Sequence, residues 1–342
     1  MAVKILVGDV RERLAELPDE SVNCVVTSPP YYGLRDYGID GQMGLEPTPN
    51  EYIAAMVDVF RDVRRVLRAD GTCWLNVGDS FANDGKWGGS SGGKHVTALH
   101  GDTGVGRRKK DTGLKPKDLM MVPARLALAL QADGWWLRSD IIWHKPNPMP
   151  ESVRDRPTNA HEHIFLLTKS SRYWYDADAV REPMKESSLD RLSQDIDAQV
   201  GSVRANGGAK TNGTMKAVAR TDKQRGHSRR HAGFNDRWDA MPRDEQMANG
   251  ANLRNVWSIA TVGYPGSHFA TFPPEIPRRC IKAGCPADGT VLDPFFGAGT
   301  TGLVADELGR NCIGIELNPG YAVMAKERIR SASPMFADVA TA

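Results

Sequence analysis

Two adjacent prolines follow an apolar stretch near the start of the chain, in the segment Val25-Val26-Thr27-Ser28-Pro29-Pro30-Tyr31-Tyr32. Proline fixes the backbone angle φ and donates no hydrogen bond, so this segment presents carbonyl oxygens from a rigid loop. The exocyclic amino group of a nucleobase is a poor nucleophile. Acceptors that bind both of its hydrogens stabilise the charge that develops when it attacks an electrophile.

The Ser28 hydroxyl and the Pro29 carbonyl can supply those acceptors, and Tyr31 can stack on a base swung out of a duplex. We therefore treat Ser28, Pro29, Pro30 and Tyr31 as candidate catalytic residues. The alternative interpretation is a rigid turn whose tyrosines serve packing alone, and Ser-Pro-Pro by itself does not exclude it.

A second segment, Asp293 to Gly302, leads from an apolar stretch into a helical pattern and carries glycines at 297, 299 and 302. Glycines let the backbone come close to a ligand, and the start of a helix offers free N–H groups. Glu316 ends the next apolar stretch, where a carboxylate can accept hydrogen bonds from ribose hydroxyls. These features predict a site for a cofactor that contains a nucleoside.

The same glycine spacing matches the fingerprint of dinucleotide-binding enzymes. An NAD-dependent oxidoreductase would account for this end of the chain. It would have no use for Ser28 and the two prolines that follow it.

The Thr-Ser-Pro-Pro-Tyr loop and the later Asp-Pro-Phe-x-Gly-x-Gly-Thr-Thr turn together resemble the amino-methylating DNA methyltransferases of the β class. Those enzymes are circularly permuted, with the catalytic half before the cofactor half, and Ser28 does precede Asp293. His268 to Pro274 resembles the family's cofactor segment. Gly8-Asp9 resembles the strand end whose acid meets the adenine of the cofactor.

The resemblance implies S-adenosyl-L-methionine (S-adenosylmethionine) as the cofactor. Glu316 would then bind its ribose hydroxyls, Asp9 would lie near its adenine, and His268 and Phe272 would close over it. No metal is expected, because the sulfonium already makes the methyl group electrophilic. The predicted cofactor-binding residues are Asp9, His268, Phe272, Asp293, Pro294, Phe295, Gly297, Gly299, Thr300, Thr301 and Glu316.

Strands that alternate with helices at both ends of the chain predict one mostly parallel sheet covered on both faces. The resemblance implies an α/β, doubly wound, Rossmann-like methyltransferase sheet that is circularly permuted, ends in an antiparallel strand and carries rim insertions for DNA recognition. Apolar stretches predict strands at 3–7, 22–27, 72–77, 135–143, 163–168, 290–292 and 311–315. Helical spacing is found at 10–17, 48–67, 123–132, 300–308 and 319–330.

Three parts follow from this pattern. Residues 1–180 form the catalytic half and include a basic loop at 84–118. Residues 181–250 form an insertion where this class usually carries target recognition. Residues 251–342 form the cofactor-binding half.

Positive charge is concentrated in the two segments that interrupt the alternation. Residues 84–118 carry a net charge of +4 and residues 181–243 carry +5, whereas the whole chain carries only +2. A polyanion is the natural partner of such segments, although solvated loops with a chance excess of charge are an equally simple explanation. The candidate residues for contact with double-stranded DNA are Arg107, Arg108, Lys109, Lys110, Arg225, Arg229 and Arg230.

The remaining features are those of an ordinary globular protein. The chain has 342 residues, enough for one large α/β domain with an insertion, and no apolar run long enough to cross a bilayer. Cys24, Cys73 and Cys312 lie in apolar stretches, which predicts buried reduced thiols and a cytoplasmic protein.

Ser28 favours N4 of cytosine as the acceptor, because the family more often uses Asp or Asn at this position for N6 of adenine. Adenine N6 stays the alternative, as does a DNA-binding protein that has lost catalysis. A homodimer and a cognate restriction endonuclease are further partners implied by the resemblance, but no residue pattern demonstrates either.

Overall fold

A computed structural model describes residues 2–34, 38–82, 113–184, 241–242, 245, 250–262, 272–332 and 338–341. Within those ranges the α-helices are α1 (Val10–Ala15), α2 (Pro49–Val66), α3 (Val122–Ala132), α4 (Glu275–Gly284), α5 (Thr300–Glu307) and α6 (Pro319–Ala332). The β-strands are β1 (Ala2–Val7), β2 (Val22–Thr27), β3 (Leu67–Val77), β4 (Trp136–His144), β5 (His161–Thr168), β6 (Val256–Ser258), β7 (Thr290–Asp293), β8 (Asn311–Glu316) and β9 (Asp338–Thr341).

The strands form one sheet in the order β6-β4-β5-β3-β2-β7-β8-β1-β9. All neighbouring strands run parallel except β5, which is antiparallel to both β3 and β4. The doubly wound, mostly parallel fold predicted from the sequence is confirmed. The expectation that the sheet ends in its antiparallel strand is wrong, because β4 and the short β6 continue the sheet beyond β5.

The permuted order is visible at the centre of this sheet. Strand β2 pairs directly with β7, with Val25 opposite Leu292, although the two strands are far apart in sequence. The carboxyl ends of β1, β2, β3, β7 and β8 therefore reach the same edge, where Asp9, Ser28, the glycine-rich turn and Glu316 lie.

The chain divides into two compact units. One comprises Met1–Asp176 and Arg254–Ala342, so strands from both predicted halves share a single sheet. The other comprises Ala177–Leu253. Its described residues include a 3-10 turn at Asp178–Val180 and an antiparallel bridge between Glu182 and Ala251. A role in target recognition stays a prediction for residues 181–250.

Helix α2 shows how the sequence specifies a local structure. Thr48 Oγ1 accepts a hydrogen bond from the Glu51 backbone, and the Glu51 carboxylate accepts one from the Thr48 backbone, which completes the capping box. The face carrying Tyr52, Met56 and Phe60 is fully buried against the sheet core. The helix ends at Val66, one residue before the end of the helical spacing at Leu67, because β3 begins at Leu67.

All five cysteines are free and buried, and Cys24, Cys73 and Cys312 lie in strands as predicted. Within the described ranges, no group of three or more His, Cys, Asp or Glu side chains is arranged to hold a metal ion. No helix of the described residues is long and apolar enough to cross a membrane.

Candidate active site

A cavity of about 1020 Å³ opens at the carboxyl edge of the sheet. One wall is formed by the loop after β2, and another by the turn after β7 and the end of β8. The predicted site residues that line it are Asp9, Ser28, Pro29, Pro30, Tyr31, Phe272, Asp293, Pro294, Phe295, Gly297, Thr300 and Glu316. The fold thus brings the two motifs of the sequence to a single cavity.

Glu316 organises the cofactor side of the cavity. Its Oε2 accepts a hydrogen bond of 2.7 Å from the Gly297 backbone, and its Oε1 accepts one of 2.8 Å from the Asn318 backbone. Burial raises the pKa of this carboxyl above its usual value. Each carboxylate oxygen has a second lone pair, so Glu316 can also accept hydrogen bonds from the hydroxyls of a ribose.

Asp293 lies deeper, where β7 meets β2. Its Oδ1 accepts hydrogen bonds from the Thr27 hydroxyl at 2.7 Å and from the Phe295 backbone at 3.1 Å. Its Oδ2 accepts a bond of 2.7 Å from the Thr301 hydroxyl. Burial raises the pKa of Asp293 to about 6, although those donors oppose the shift. The carboxylate mainly holds the turn to the catalytic strand.

The glycines of the turn serve packing as well as ligand approach. A Cβ at Gly302 or Gly314 would lie 2.6 or 2.3 Å from the Phe296 ring, and one at Gly299 would lie 2.8 Å from Ala325. Gly299 and Gly302 also do not line the cavity, whereas Gly297 does. Packing therefore accounts for part of the match to the dinucleotide fingerprint, because Gly302 leaves room for the Phe296 ring and Gly299 leaves room for Ala325.

The two threonines after Gly299 differ. Thr300 lines the cavity, and its hydroxyl accepts a hydrogen bond of 2.9 Å from Arg328. Thr301 is fully buried behind the turn, where it supports Asp293 and does not reach the cavity. Direct contact between Thr301 and a cofactor, as the resemblance implied, does not fit this position.

Asp9 is the N-cap of α1 and lines the cavity next to the end of β8, since the Gly8 backbone donates a hydrogen bond of 3.0 Å to the Glu316 carbonyl. Both Asp9 carboxylate oxygens accept hydrogen bonds from the Arg11 guanidinium, which lowers the pKa of Asp9. Phe272 is half-buried at the cavity wall. His268 and all seven candidate DNA-binding residues lie outside the described residues.

The loop after β2 is fixed from below by Tyr52. The Tyr52 hydroxyl donates a hydrogen bond of 2.9 Å to the Pro30 carbonyl, and its ring is fully buried in α2. On the other side of the loop, Gly44 packs closely against the Tyr31 backbone. A Cβ at residue 44 would lie 3.1 Å from the Tyr31 carbonyl oxygen. The rigidity predicted from the two prolines is thus reinforced by tertiary contacts.

Ser28 belongs to a network of five side chains. Its hydroxyl donates a hydrogen bond of 3.2 Å to the Tyr31 hydroxyl, which donates one of 2.5 Å to Glu162 Oε2. Asn76 Nδ2 lies 2.5 Å from the Tyr31 oxygen and 2.8 Å from Glu162 Oε2. Lys145 pairs with the other Glu162 oxygen. Burial and the Glu162 charge raise the pKa of Tyr31 well above its ordinary value.

Asn76 was not among the predicted site residues. The sequence feature that could have indicated Asn76 is a polar amide near the end of the otherwise apolar run of β3. In the structure, Asn76 is only 3% exposed. Glu162 and Lys145 were not predicted either, because no local pattern in the sequence joins them to Ser28. Antiparallel strand β5 is what brings Glu162 beside β3.

The fold places Glu316, the predicted nucleoside-binding carboxylate, and Ser28, the predicted amino-group acceptor, at one cavity. The family model N6_N4_Mtase, DNA methylase, matches residues 22–327. The chain belongs to this family of DNA methylases, and S-adenosylmethionine is its cofactor. The oxidoreductase alternative is thereby excluded.

The similarity to individual relatives extends over nearly the whole chain. Type II methyltransferase M.SmaI from Serratia marcescens is 46% identical over 326 residues, which cover 95% of this chain and 90% of the relative. Type II methyltransferase M.XycI from Xanthomonas campestris pv. cyanopsidis is 42% identical, with 94% and 86% covered.

Solved structures share the fold. TTHA0409, a DNA modification methylase of Thermus thermophilus solved with S-adenosyl-L-methionine, superposes with a TM-score of 0.55 at 23% identity, covering 100% of both chains. The PvuII cytosine-N4-specific DNA methyltransferase gives 0.56 at 17% identity, covering 100% of this chain and 94% of that one.

The residues that line the cavity fit the cofactor. A buried carboxylate at the end of β8 and the N-terminus of α5 face one cavity, and Gly297 brings the backbone to its surface. Bound there, S-adenosylmethionine supplies an electrophilic methyl group. This chain's residues provide the pocket that holds it beside the loop after β2.

Proposed function

We propose that this enzyme transfers a methyl group from S-adenosylmethionine to N4 of cytosine at a specific site in double-stranded DNA, with the target base swung out of the helix. The single observation that carries the proposal is the position of Ser28. Its hydroxyl stands at the same cavity as Glu316, and its own proton is directed to Tyr31.

The roles of the loop follow from that geometry. The serine oxygen donates its proton to Tyr31 and accepts a bond of 3.4 Å from Asn76 Nδ2, so one lone pair is left for an incoming N–H group. Ser28 Oγ accepts one amino hydrogen of the base, and the Pro29 carbonyl accepts the other. Both acceptors then stabilise the positive charge that develops on the nitrogen as it takes the methyl group.

Cytosine is favoured over adenine by the residue that leads the loop. Ser28 presents a neutral hydroxyl where the N6-adenine members of the family more often have a carboxylate or an amide. We therefore assign N4 of cytosine, the amino group on the smaller pyrimidine ring, as the group that Ser28 binds. The same loop chemistry on adenine N6 is the competing outcome.

Product analysis tests this assignment. Purified enzyme is incubated with unmethylated DNA and S-adenosylmethionine, and the DNA is digested to nucleosides for mass spectrometry. We expect N4-methylcytosine. N6-methyladenine would move the target to adenine, and the absence of either product from wild type would contradict the proposed activity. Single-molecule sequencing of the same DNA then locates the methylated site.

Recognition of the DNA is assigned to the segments that carry the excess charge. Residues 84–118 and 181–243 have the composition of a phosphate-binding surface, and the unit Ala177–Leu253 is where we place target recognition. A homodimer, which sedimentation velocity would detect, and a cognate restriction endonuclease are parts of the same proposal.

A further inference from the structure

We infer that Glu162 is a positioning residue that acts through Tyr31 on Ser28, and that it supplies, two hydrogen bonds away, the negative charge that a serine-led loop lacks. The inference rests on the proposed role of Ser28 as an acceptor for the target amino group. It gives Tyr31 a task different from the base stacking expected from the sequence.

The hydrogen bonds run in one direction. Ser28 donates to the Tyr31 oxygen at 3.2 Å, and Tyr31 donates to Glu162 Oε2 at 2.5 Å. A hydroxyl has one proton and two lone pairs. The Tyr31 oxygen accepts from both Ser28 and Asn76, whereas Ser28 Oγ accepts one bond of 3.4 Å from Asn76 Nδ2, which leaves one lone pair for a further donor. Hydrogen bonds in such a chain polarise one another, and the carboxylate at its end makes Ser28 Oγ a stronger acceptor.

Three contacts keep the end of the chain in place. Lys145 pairs with Glu162 Oε1, and Asn76 Nδ2 donates to Glu162 Oε2 at 2.8 Å. The Lys145 ammonium also lies 4.5 Å from the centre of the Trp143 ring, which holds it against the wall of the cavity. The Glu162 side chain is only 14% exposed, and Lys145 pairs with its Oε1, so Oε2 is the oxygen that accepts from Tyr31 and Asn76.

The Tyr31 ring is held in its orientation by the backbone of the strand end. A Cβ at Gly78 would lie 2.5 Å from the ring, so the ring packs directly on a residue that has no side chain. The Cδ2–Cε2 side of the ring is therefore packed against the backbone, and the Tyr31 hydroxyl is hydrogen-bonded to Ser28, Asn76 and Glu162. This arrangement suits an intermediary between Glu162 and Ser28.

A double-mutant cycle separates action through Ser28 from a general structural role. Tyr31→Phe and Glu162→Gln should each lower the single-turnover rate of methyl transfer about 10- to 100-fold, while the dissociation constants of S-adenosylmethionine and DNA stay within about twofold. In a Ser28→Ala background the same changes should cost less than about twofold, because the residue on which they act is gone.

Tyr32→Phe is the matched control. Tyr32 is the next residue, its hydroxyl donates to the Pro47 carbonyl at 3.1 Å, and it does not line the cavity. Its removal should leave the rate unchanged. Thermal melting of every variant identifies any that fail to fold, and Tyr31→Phe decides the case if Glu162→Gln is one of them.

The outcomes that overturn the inference are distinct from failure of the proposed function. Tyr31→Phe with a wild-type rate, or equal losses with and without Ser28, would show that Glu162 does not act through this hydroxyl. Full activity of Ser28→Ala alone would instead remove the acceptor role of Ser28, on which the proposed function depends.

Discussion

Thr27 Oγ1 donates a hydrogen bond of 2.7 Å to Asp293 Oδ1, across 266 residues of sequence. Both side chains are almost completely buried, with 0% and 2% exposure. Thr27 is the last residue of the strand that leads into the catalytic loop, and Asp293 is the last residue of the strand that leads into the glycine-rich turn. The two motifs are therefore fixed to one another directly, below the floor of the cavity.

The buried position of Asp293 predicts a dependence of stability on pH. Its pKa in the folded protein is about 6, against 3.8 for an ordinary aspartate, so ionisation disfavours the folded state. That cost is absent below about pH 4 and grows to at most about 3 kcal/mol as the pH rises through 6. Asp293→Asn cannot ionise, so its stability relative to wild type should rise across this window. Urea midpoints measured from pH 4 to pH 7 provide the comparison.

Asp288→Asn is the control for that experiment, because Asp288 is exposed and lies in the left-handed region that asparagine tolerates. Its urea midpoints relative to wild type provide the baseline for an exposed Asp→Asn change. A flat difference for Asp293→Asn would contradict the raised pKa of Asp293.

Glu316→Gln should weaken cofactor binding. The amide nitrogen cannot accept from the Gly297 or Asn318 backbone, so the turn loses a support and the ribose hydroxyls lose an acceptor. We expect the dissociation constant of S-adenosylmethionine to rise about 10- to 100-fold, measured by calorimetry. Glu327→Gln, on the exposed face of α6, should bind as wild type. Equal affinities for the two variants would remove Glu316 from the cofactor site.

Gly314→Ala should destabilise the fold. The added methyl group would lie 2.3 Å from the Phe296 ring, and overpacking of a filled core costs about 1–3 kcal/mol. Chemical denaturation of the single variant and of Gly314→Ala combined with Phe296→Leu tests the cause. The smaller side chain should recover part of the loss, whereas strictly additive losses would mean that Phe296 is not the obstacle.

Replacement of Arg107, Arg108, Lys109 and Lys110 by Ala should weaken DNA binding and flatten its dependence on salt. Each phosphate contact contributes a slope of about −0.9 in log affinity against log salt concentration, so the loss of several contacts is measurable. Binding isotherms at several salt concentrations give this slope. Arg107→Lys with Arg108→Lys keeps the charge and should keep the slope. An unchanged slope in the Ala variant would show that the cluster does not touch phosphates.

The sequence predicted the helices and strands for which the capping residues, the turn residues and the apolar spacing all indicate the same structure. The capping box at Thr48 and the apolar spacing behind it placed α2 correctly at its start, and the glycine-rich turn placed β7 and α5. Strand β6 could not be predicted because three residues carry no periodicity. The end of α2 was placed too late because Leu67 fits the helical pattern, but pairing with Val22 draws it into the sheet.

Only part of the site could be predicted in the same way. Ser28, Gly297 and Glu316 lie in contiguous motifs, and their cavity follows from the rule that parallel strands end at one edge. Asn76 and Glu162 meet only because β5 runs antiparallel beside β3, and no local pattern specifies that register. Base stacking was expected of Tyr31 because the sequence does not show the partners of its hydroxyl, which are Ser28, Asn76 and Glu162.

The pairing of β2 with β7 affects how the chain folds during synthesis. Strand β2 leaves the ribosome long before its partner β7, because Thr27 and Asp293 are 266 residues apart in the sequence. At 5–20 residues per second, that interval is roughly 13 to 50 s. Over that time the apolar edge of β2 is an unsatisfied template for other strands, so chaperone demand during translation should be high until Asp293 has emerged.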